Sequence, residues 1–245
     1  MQSAIDCRRL RAIARSVKSR PTTLVLDCVS RLRYEGAMRI GVVGTGTIGK
    51  TLGGLFARHG HDVVIGSREG ARGASVAREL GSGARGGTIR DAAEHAEAVL
   101  LAVHFTAAKE TLQAAGPLDG KVLLDCVNPL SPDFLALTVG HTTSAAEQIA
   151  AWAPAARVVK VFNHIFGSTL PEPMYGQVRA TAFYCGDDAD AKAVAAALVG
   201  ELGFDPVDAG PLEVARYLEP LAELVIQLAY KQGLGPGFGL ALLRR

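Results

Sequence analysis

Apolar positions along this chain alternate between short continuous runs and stretches with helical spacing. Met38-Arg39-Ile40-Gly41-Val42-Val43 and Asp62-Val63-Val64-Ile65-Gly66 read as buried strands, and residues 50–59 between them as a helix closed by Gly60. Residues 74–80 form a short helix stopped by Gly81, 84–89 a third strand and 90–96 a helical turn. Val99-Leu100-Leu101-Ala102-Val103-His104 is a buried strand with 106–115 as its crossover helix, and 121–127 is the fifth strand. Residues 132–141 lack a clear period and read as a lid or covering loop. Residues 144–152 are helical, with Ser144 as N-cap and Glu147 completing a capping box. Val158-Val159-Lys160-Val161-Phe162 is a sixth strand. Strands alternating with helices predict an α/β fold, a doubly wound Rossmann sheet.

Beyond residue 165 the elements change. Residues 181–185 and 205–208 read as strands around an Ala-rich helix at 189–202. Residues 212–232 read as one long helix whose Leu221, Leu224, Val225 and Leu228 recur at helical spacing, as a core or dimer face would. This is a small C-terminal α/β lobe, ending in a glycine-rich tail.

The first strand, helix and second strand form a βαβ unit with Gly44-Thr45-Gly46-Thr47-Ile48-Gly49 at its first turn. In the G-x-G-x-x-G pattern, Gly44 permits the tight turn, Gly46 lets a pyrophosphate approach the backbone, and Gly49 allows close helix–strand packing. The phosphates then meet free N–H groups at a helix N-terminus. With Lys50 and Thr51 the same residues also spell G-x-x-x-x-G-K-T, the phosphate loop of triphosphatases, for which Asp125 could supply the metal-binding acid. The second strand separates the two readings. Where a dinucleotide fold places an acid for the adenosine ribose, this chain has Ser67-Arg68, with Arg72 four residues on. A hydroxyl and two guanidinium groups suit a 2′-phosphate, which favours NADP(H). Lys50 then reads as a solvated residue of the first helical turn.

Composition adds constraints. Hydrophobic residues make up 49% and charged residues 20%, without an apolar run long enough to span a bilayer. Residues 1–37 carry eight Arg/Lys against three acids, a net of +5, so the remainder of the +2 chain carries −3. A mildly acidic body offers no electrostatic footprint for nucleic acid. The basic N-terminal extension is interrupted by Pro21; it reads as a disordered or non-native arm, or as an Arg-rich segment similar to a transit peptide. Four scattered cysteines without a C-x-x-C pair read as free thiols in a reducing compartment, and no metal site is expected.

The stretches 40–49, 60–68, 125–130, 158–164 and 183–230 together resemble the NADPH-dependent reductases of coenzyme F420, the F420-dependent NADP oxidoreductases. Within the last stretch the resemblance rests on Cys185-Gly186-Asp187-Asp188, on Gly203-Phe204-Asp205-Pro206-Val207-Asp208-Ala209-Gly210-Pro211 and on Ala215-Arg216-Tyr217-Leu218-Glu219-Pro220-Leu221. The resemblance covers nearly all of 38–245. It implies an NADP-binding Rossmann domain at 38–165, a C-terminal lobe at 166–245 for substrate and dimer contacts, and a cytoplasmic homodimer. Hydride would pass directly between NADP(H) and the deazaflavin coenzyme F420, a small-molecule acceptor. By the same resemblance Gly44, Thr45, Gly46, Thr47, Ile48 and Gly49 hold the pyrophosphate, and Ser67 and Arg68 the 2′-phosphate. Arg72 stands where the family often has lysine, and His104 where it often has proline or an apolar residue.

Hydride transfer is the cofactor's chemistry, so no protein acid or base is obligatory. Val103 and His104, at the end of the fourth strand, are set against the cofactor; His104, Asn128, Asn163 and His164 are the polar candidates near the nicotinamide. His104 reads equally as a satisfied loop histidine, and His164 reads first as one. Trp152 is expected in the core, and Lys160 is expected to snorkel to a sheet edge. Two other readings stay open: an NADPH-dependent reductase of another small acceptor (imine, ferric chelate or flavin), and an NADP(H)-binding sensor without turnover.

Overall fold

β1 (Arg39–Val43) lies in the interior of an eight-stranded sheet, and the rest of the fold is laid out from it. The computed structural model describes residues 36–245, so the extension expected over 1–37 lies almost wholly outside the described residues. After β1 come α1 (Thr47–Arg58), β2 (Asp62–Ser67), α2 (Gly70–Leu80), β3 (Arg85–Thr88) and α3 (Ile89–His95). Then follow β4 (Ala98–Leu101), α4 (Phe105–Ala115), β5 (Val122–Asp125), α5 (Ala145–Trp152) and β6 (Arg157–Lys160). The remainder is a hairpin, β7 (Met174–Tyr175) and β8 (Val178–Arg179), then β9 (Thr181–Gly186), α6 (Ala189–Glu201), β10 (Asp205–Asp208) and α7 (Ala215–Ile226).

The strand order is β10-β9-β6-β5-β4-β1-β2-β3, parallel except where β9 runs antiparallel to β6. Order reverses on either side of β1, and the crevice at that switch point is where such sheets bind ligands. The central strands are buried on both faces, which is why they read as continuous apolar runs rather than alternating ones. One core layer packs Ile40, Val42, Leu52, Phe56 and Leu100 beneath α1; the other packs Val43, Leu101, Leu112, Leu123 and Ile149 beneath α4 and α5. Each such side chain stabilises the fold by about 1.5–3 kcal/mol relative to exposure. β9 and β10 extend the sheet built by 38–165, while β7 and β8 pair only with each other.

Two local expectations change. The helix expected over 212–232 is a 3-10 turn (Leu212–Val214), then α7, then a π-helical turn (Gln227–Lys231). Pro220 inside α7 removes one backbone donor, so the apolar period overstates how uniform that helix is. At Ser144 only half the capping box forms: its hydroxyl accepts from Glu147 N, but the Glu147 carboxylate turns to Arg216 (2.6 Å) and the Ser144 hydroxyl (2.8 Å). A complete box closes α3, where Thr88 Oγ1 accepts from Asp91 N at 3.1 Å and Asp91 accepts from Thr88 N at 2.8 Å. The periodless stretch 132–141 is tied to Leu130 by an antiparallel bridge with Leu137.

Candidate active site

The β1–α1 turn is shaped by what its glycines exclude. Gly44 has φ 125°, and a Cβ there would lie 2.1 Å from Ala102 O. A Cβ on Gly49 would lie 2.1 Å from Gly44 O, so helix and turn touch directly. Gly46 differs: a Cβ there meets nothing within 4 Å. It is the N-cap of α1, has no side-chain cap, and no acidic residue occupies the first turn. An exposed glycine beside uncapped N–H groups and the positive end of a helix fits a pyrophosphate. Thr45, Thr47 and Ile48 complete the rim, and Gly167 closes the other side, its α-carbon facing Thr47.

β2 ends beside this turn. Ser67 is partly exposed, Arg68 is exposed, and no acid stands at the strand end itself, Glu69 being the exposed N-cap of α2. Arg72 Nε donates to Thr45 Oγ1 at 3.1 Å, which holds this guanidinium across the mouth of the phosphate loop. Its remaining N–H groups are available to a phosphate, as the Ser67-Arg68 strand end requires. Lys50, expected in solvent, lies partly exposed in a surface ion pair with Glu79 at 2.8 Å.

On the other side of the crevice lie the ends of β4, β5 and β6. Val103 packs close to Gly44, and His104 caps α4 in an extended conformation, exposed, with its ring 5.9 Å from that of Phe134. Asn128 and Asn163 grip each other. Asn128 Nδ2 donates to Asn163 O at 2.7 Å, and Asn163 Nδ2 donates to Asn128 Oδ1 and to Leu218 O, both at 2.9 Å. Asn163 is thereby buried and saturated, whereas Asn128 stays partly exposed with capacity left. The turn leading to them passes through Phe162, a buried aromatic with φ 60°, a strained conformation of the kind that clusters at functional sites.

His164 sits behind this pair. Burial pushes its imidazole down to about 4, so it is neutral at physiological pH. Asn163 Oδ1 lies 3.3 Å from Nδ1, and Phe183 N lies 3.4 Å from Nε2. Nε2 also lies 3.4 Å from Thr181 O, so it faces both a donor and an acceptor. The four polar candidates thus form one chain of contacts only in part: Asn128, Asn163 and His164 are joined, and His104 stands apart with Phe134.

Lys160 does not snorkel. β6 lies between β5 and β9, so no edge is within reach, and Lys160 is fully buried. Its ammonium sits 2.7 Å from Asp125 and 2.9 Å from Glu219, and donates to Val127 O. Burial alone would push its pKa down, but the two carboxylates outweigh this and raise it. Burial raises Glu219, which the Lys160 charge only partly offsets. Asp125 also accepts from Val127 N (2.8 Å), and Glu219 from Ala145 N (2.9 Å) and Ala146 N (3.1 Å), so one charged group joins β5, β6, α5 and α7. With Asp125 so engaged, the triphosphatase reading loses its metal-binding acid. Sequence reasoning missed Glu219, although an acid on the apolar stripe of α7, between Leu218 and Ala222, was a visible signal. Trp152 stacks on Phe105 at 5.8 Å and is partly buried. Burial pushes the Cys126 thiol up and Cys185 up to about 12, which disfavours the thiolate at both.

The family model described as NADP oxidoreductase coenzyme F420-dependent matches residues 39–129. The chain is 32% identical over 210 residues to the F420-dependent NADP reductase of Methanothermobacter marburgensis, covering 79% of this chain and 93% of that protein. It is 31% identical over 186 residues to Metalloreductase STEAP3 of Rattus norvegicus, covering 76% of this chain but only 36% of that protein's length. Among solved structures, a candidate F420-dependent NADP-reductase of Arthrobacter sp. FB24 superposes with TM-score 0.76 at 33% identity, covering 85% of this chain and all of that one. A reductive aminase of Aspergillus terreus (TM-score 0.60, 20% identity, covering 81% of this chain and 64% of that one) shares the fold. The match in sequence along most of both chains, together with the shared fold, shows this chain to be an NADP-dependent oxidoreductase that belongs to the coenzyme F420-dependent NADP oxidoreductase family.

Proposed function

We propose that the chain transfers hydride between NADP(H) and coenzyme F420. Gly44, Thr45, Gly46, Thr47, Ile48 and Gly49 would hold the pyrophosphate, Ser67, Arg68 and Arg72 the 2′-phosphate, and Val103, His104 and Asn128 would border the nicotinamide. When bound, NADP(H) supplies or accepts the hydride; the residues orient the two partners and exclude water. The observation that carries the reading is the inert floor of the crevice. His164 is neutral, Asn163 is saturated, and Lys160 is locked between two carboxylates. Such a site suits an acceptor that takes a hydride on a conjugated ring and draws its proton from solvent: NADPH, oxidised deazaflavin and one proton give NADP⁺ and the reduced deazaflavin. The relatives named for this reaction support it.

A second reading, reduction of a metal chelate, draws on the similarity to the metalloreductase. Purified protein mixed with NADPH and, separately, coenzyme F420, FMN, ferric citrate and a cyclic imine distinguishes these. Loss of oxidised deazaflavin absorbance at a rate well above the other acceptors is expected; turnover of ferric citrate alone would replace the assignment, and turnover of none would point to a binding module.

The proposal includes a homodimer in the cytoplasm. Tyr217, Leu221, Leu224 and Leu228 form an apolar stripe on α7 and the turn after it; Tyr217 is 73% and Leu224 53% exposed. Among the described residues no helix is long and apolar enough to cross a membrane. Sedimentation at micromolar concentration should give a dimer, which Leu224→Glu should dissociate.

A further inference from the structure

The segment after β5 is built to hold one aromatic ring in the open. Ser131 N donates to Ala136 O (2.8 Å), Ala136 N to Ser131 Oγ (3.0 Å), and Asp133 Oδ1 accepts from Ser131 Oγ (2.5 Å) and Leu135 N (3.2 Å). Gln227, in the π-helical turn after α7, ties the tip down by donating to Leu135 O at 2.8 Å. At that tip Phe134 has φ 60°, a conformation a bulky residue adopts only when its surroundings impose it, and the residue is 46% exposed.

Among the described residues its one aromatic neighbour is His104, at a ring distance of 5.9 Å and an interplanar angle of 51°. Val103, one residue earlier, lies against the phosphate turn: its Cγ1 would be 3.3 Å from a Cβ on Gly44. Phe134 therefore stands beyond His104, at the carboxyl ends of β4 and β5. Core packing gives no reason to display a strained phenyl ring there.

We infer that Phe134, backed by His104, is the stacking platform for the acceptor, and that it selects flat conjugated rings over compact acceptors. The inference deepens the proposed function and rests on its assignment of a ring acceptor. Every aromatic heterocycle has a π-face, so such a platform confers affinity without hydrogen-bond readout.

Fluorescence quenching of coenzyme F420, and separately of FMN, titrated onto the NADP⁺-saturated protein tests it. Phe134→Ala should weaken ring binding about 5- to 100-fold, the range for loss of one stacking side chain. The acceptor KM should rise in parallel while the KM for NADPH stays within about twofold, and Phe134→Tyr should keep wild-type values. Unchanged ring affinity in Phe134→Ala, or an equal loss for NADPH, would overturn the platform. If wild type neither quenches nor reduces coenzyme F420, the proposed acceptor is wrong, and FMN then judges the platform. FMN binding sensitive to Phe134→Ala upholds it, and insensitive or absent binding refutes it.

Discussion

Removing the Lys160 ammonium should be among the most damaging single changes in this chain. Lys160→Met keeps the volume and leaves Asp125 and Glu219, 0% and 1% exposed, without their cation. Asp125 retains only Val127 N, and Glu219 only the two N–H groups that open α5. Breaking a buried pair from one side costs about 3–5 kcal/mol, because the remaining charge is neither solvated nor paired. For a chain of this size that corresponds to a fall in Tm of about 6–20 °C. Urea unfolding at pH 7 gives the free energy directly. The sign with pH is a second check. Burial already raises Glu219, and losing the ammonium removes what holds it down, so the defect is largest at neutral pH and shrinks as pH falls and Glu219 takes up its proton. Adding Asp125→Asn and Glu219→Gln to Lys160→Met should restore part of the loss by removing both buried charges, although the amide oxygen introduced at 219 can accept only one of the two N–H bonds that the carboxylate accepts. A Lys160→Met protein within about 1 kcal/mol of wild type at pH 7 would refute the argument.

Further outcomes follow from the site and the core. Arg68→Ala should weaken NADPH binding about ten- to a hundredfold and leave NADH nearly unchanged, with Arg72→Ala acting in the same direction; equal losses for both cofactors by calorimetry would remove the 2′-phosphate assignment. His164, whose folded pKa of about 4 lies below the ordinary 6.5, contributes about 3 kcal/mol of stability that is present above pH 6.5 and lost as pH falls toward 4. His164→Gln should flatten that part of the pH–stability curve, and an unchanged slope would show that the wild-type loss comes from other groups. A chain beginning at Met38, whose buried N–H meets His61 Nδ1 at 3.0 Å, should fold and bind NADPH as the full chain does; insoluble protein on this truncation would count against residues 1–37 being dispensable.

The sequence by itself determined the elements whose cause is local. Continuous apolar runs marked β1, β2, β4 and β5, because strands covered on both faces need no alternation. Glycine spacing marked the phosphate turn, because backbone contact at 2.1 Å admits no side chain at Gly44 or Gly49. The absent acid after β2 pointed to a phosphorylated ribose. Only the tertiary structure decided where the charges and the exposed rings belong. Lys160 looked like an edge residue until β9 paired beyond β6 and enclosed it, and Glu219 is its partner across 59 positions of sequence. Asn128 and Asn163 follow different strands, and their mutual grip exists only because β5 and β6 are neighbours. Phe134 lies in a stretch without period. Its exposure is set by a turn whose hydrogen bonds, including that from Gln227, connect residues no periodicity relates. Periodicity records which face of an element is buried; it carries no record of which element does the burying.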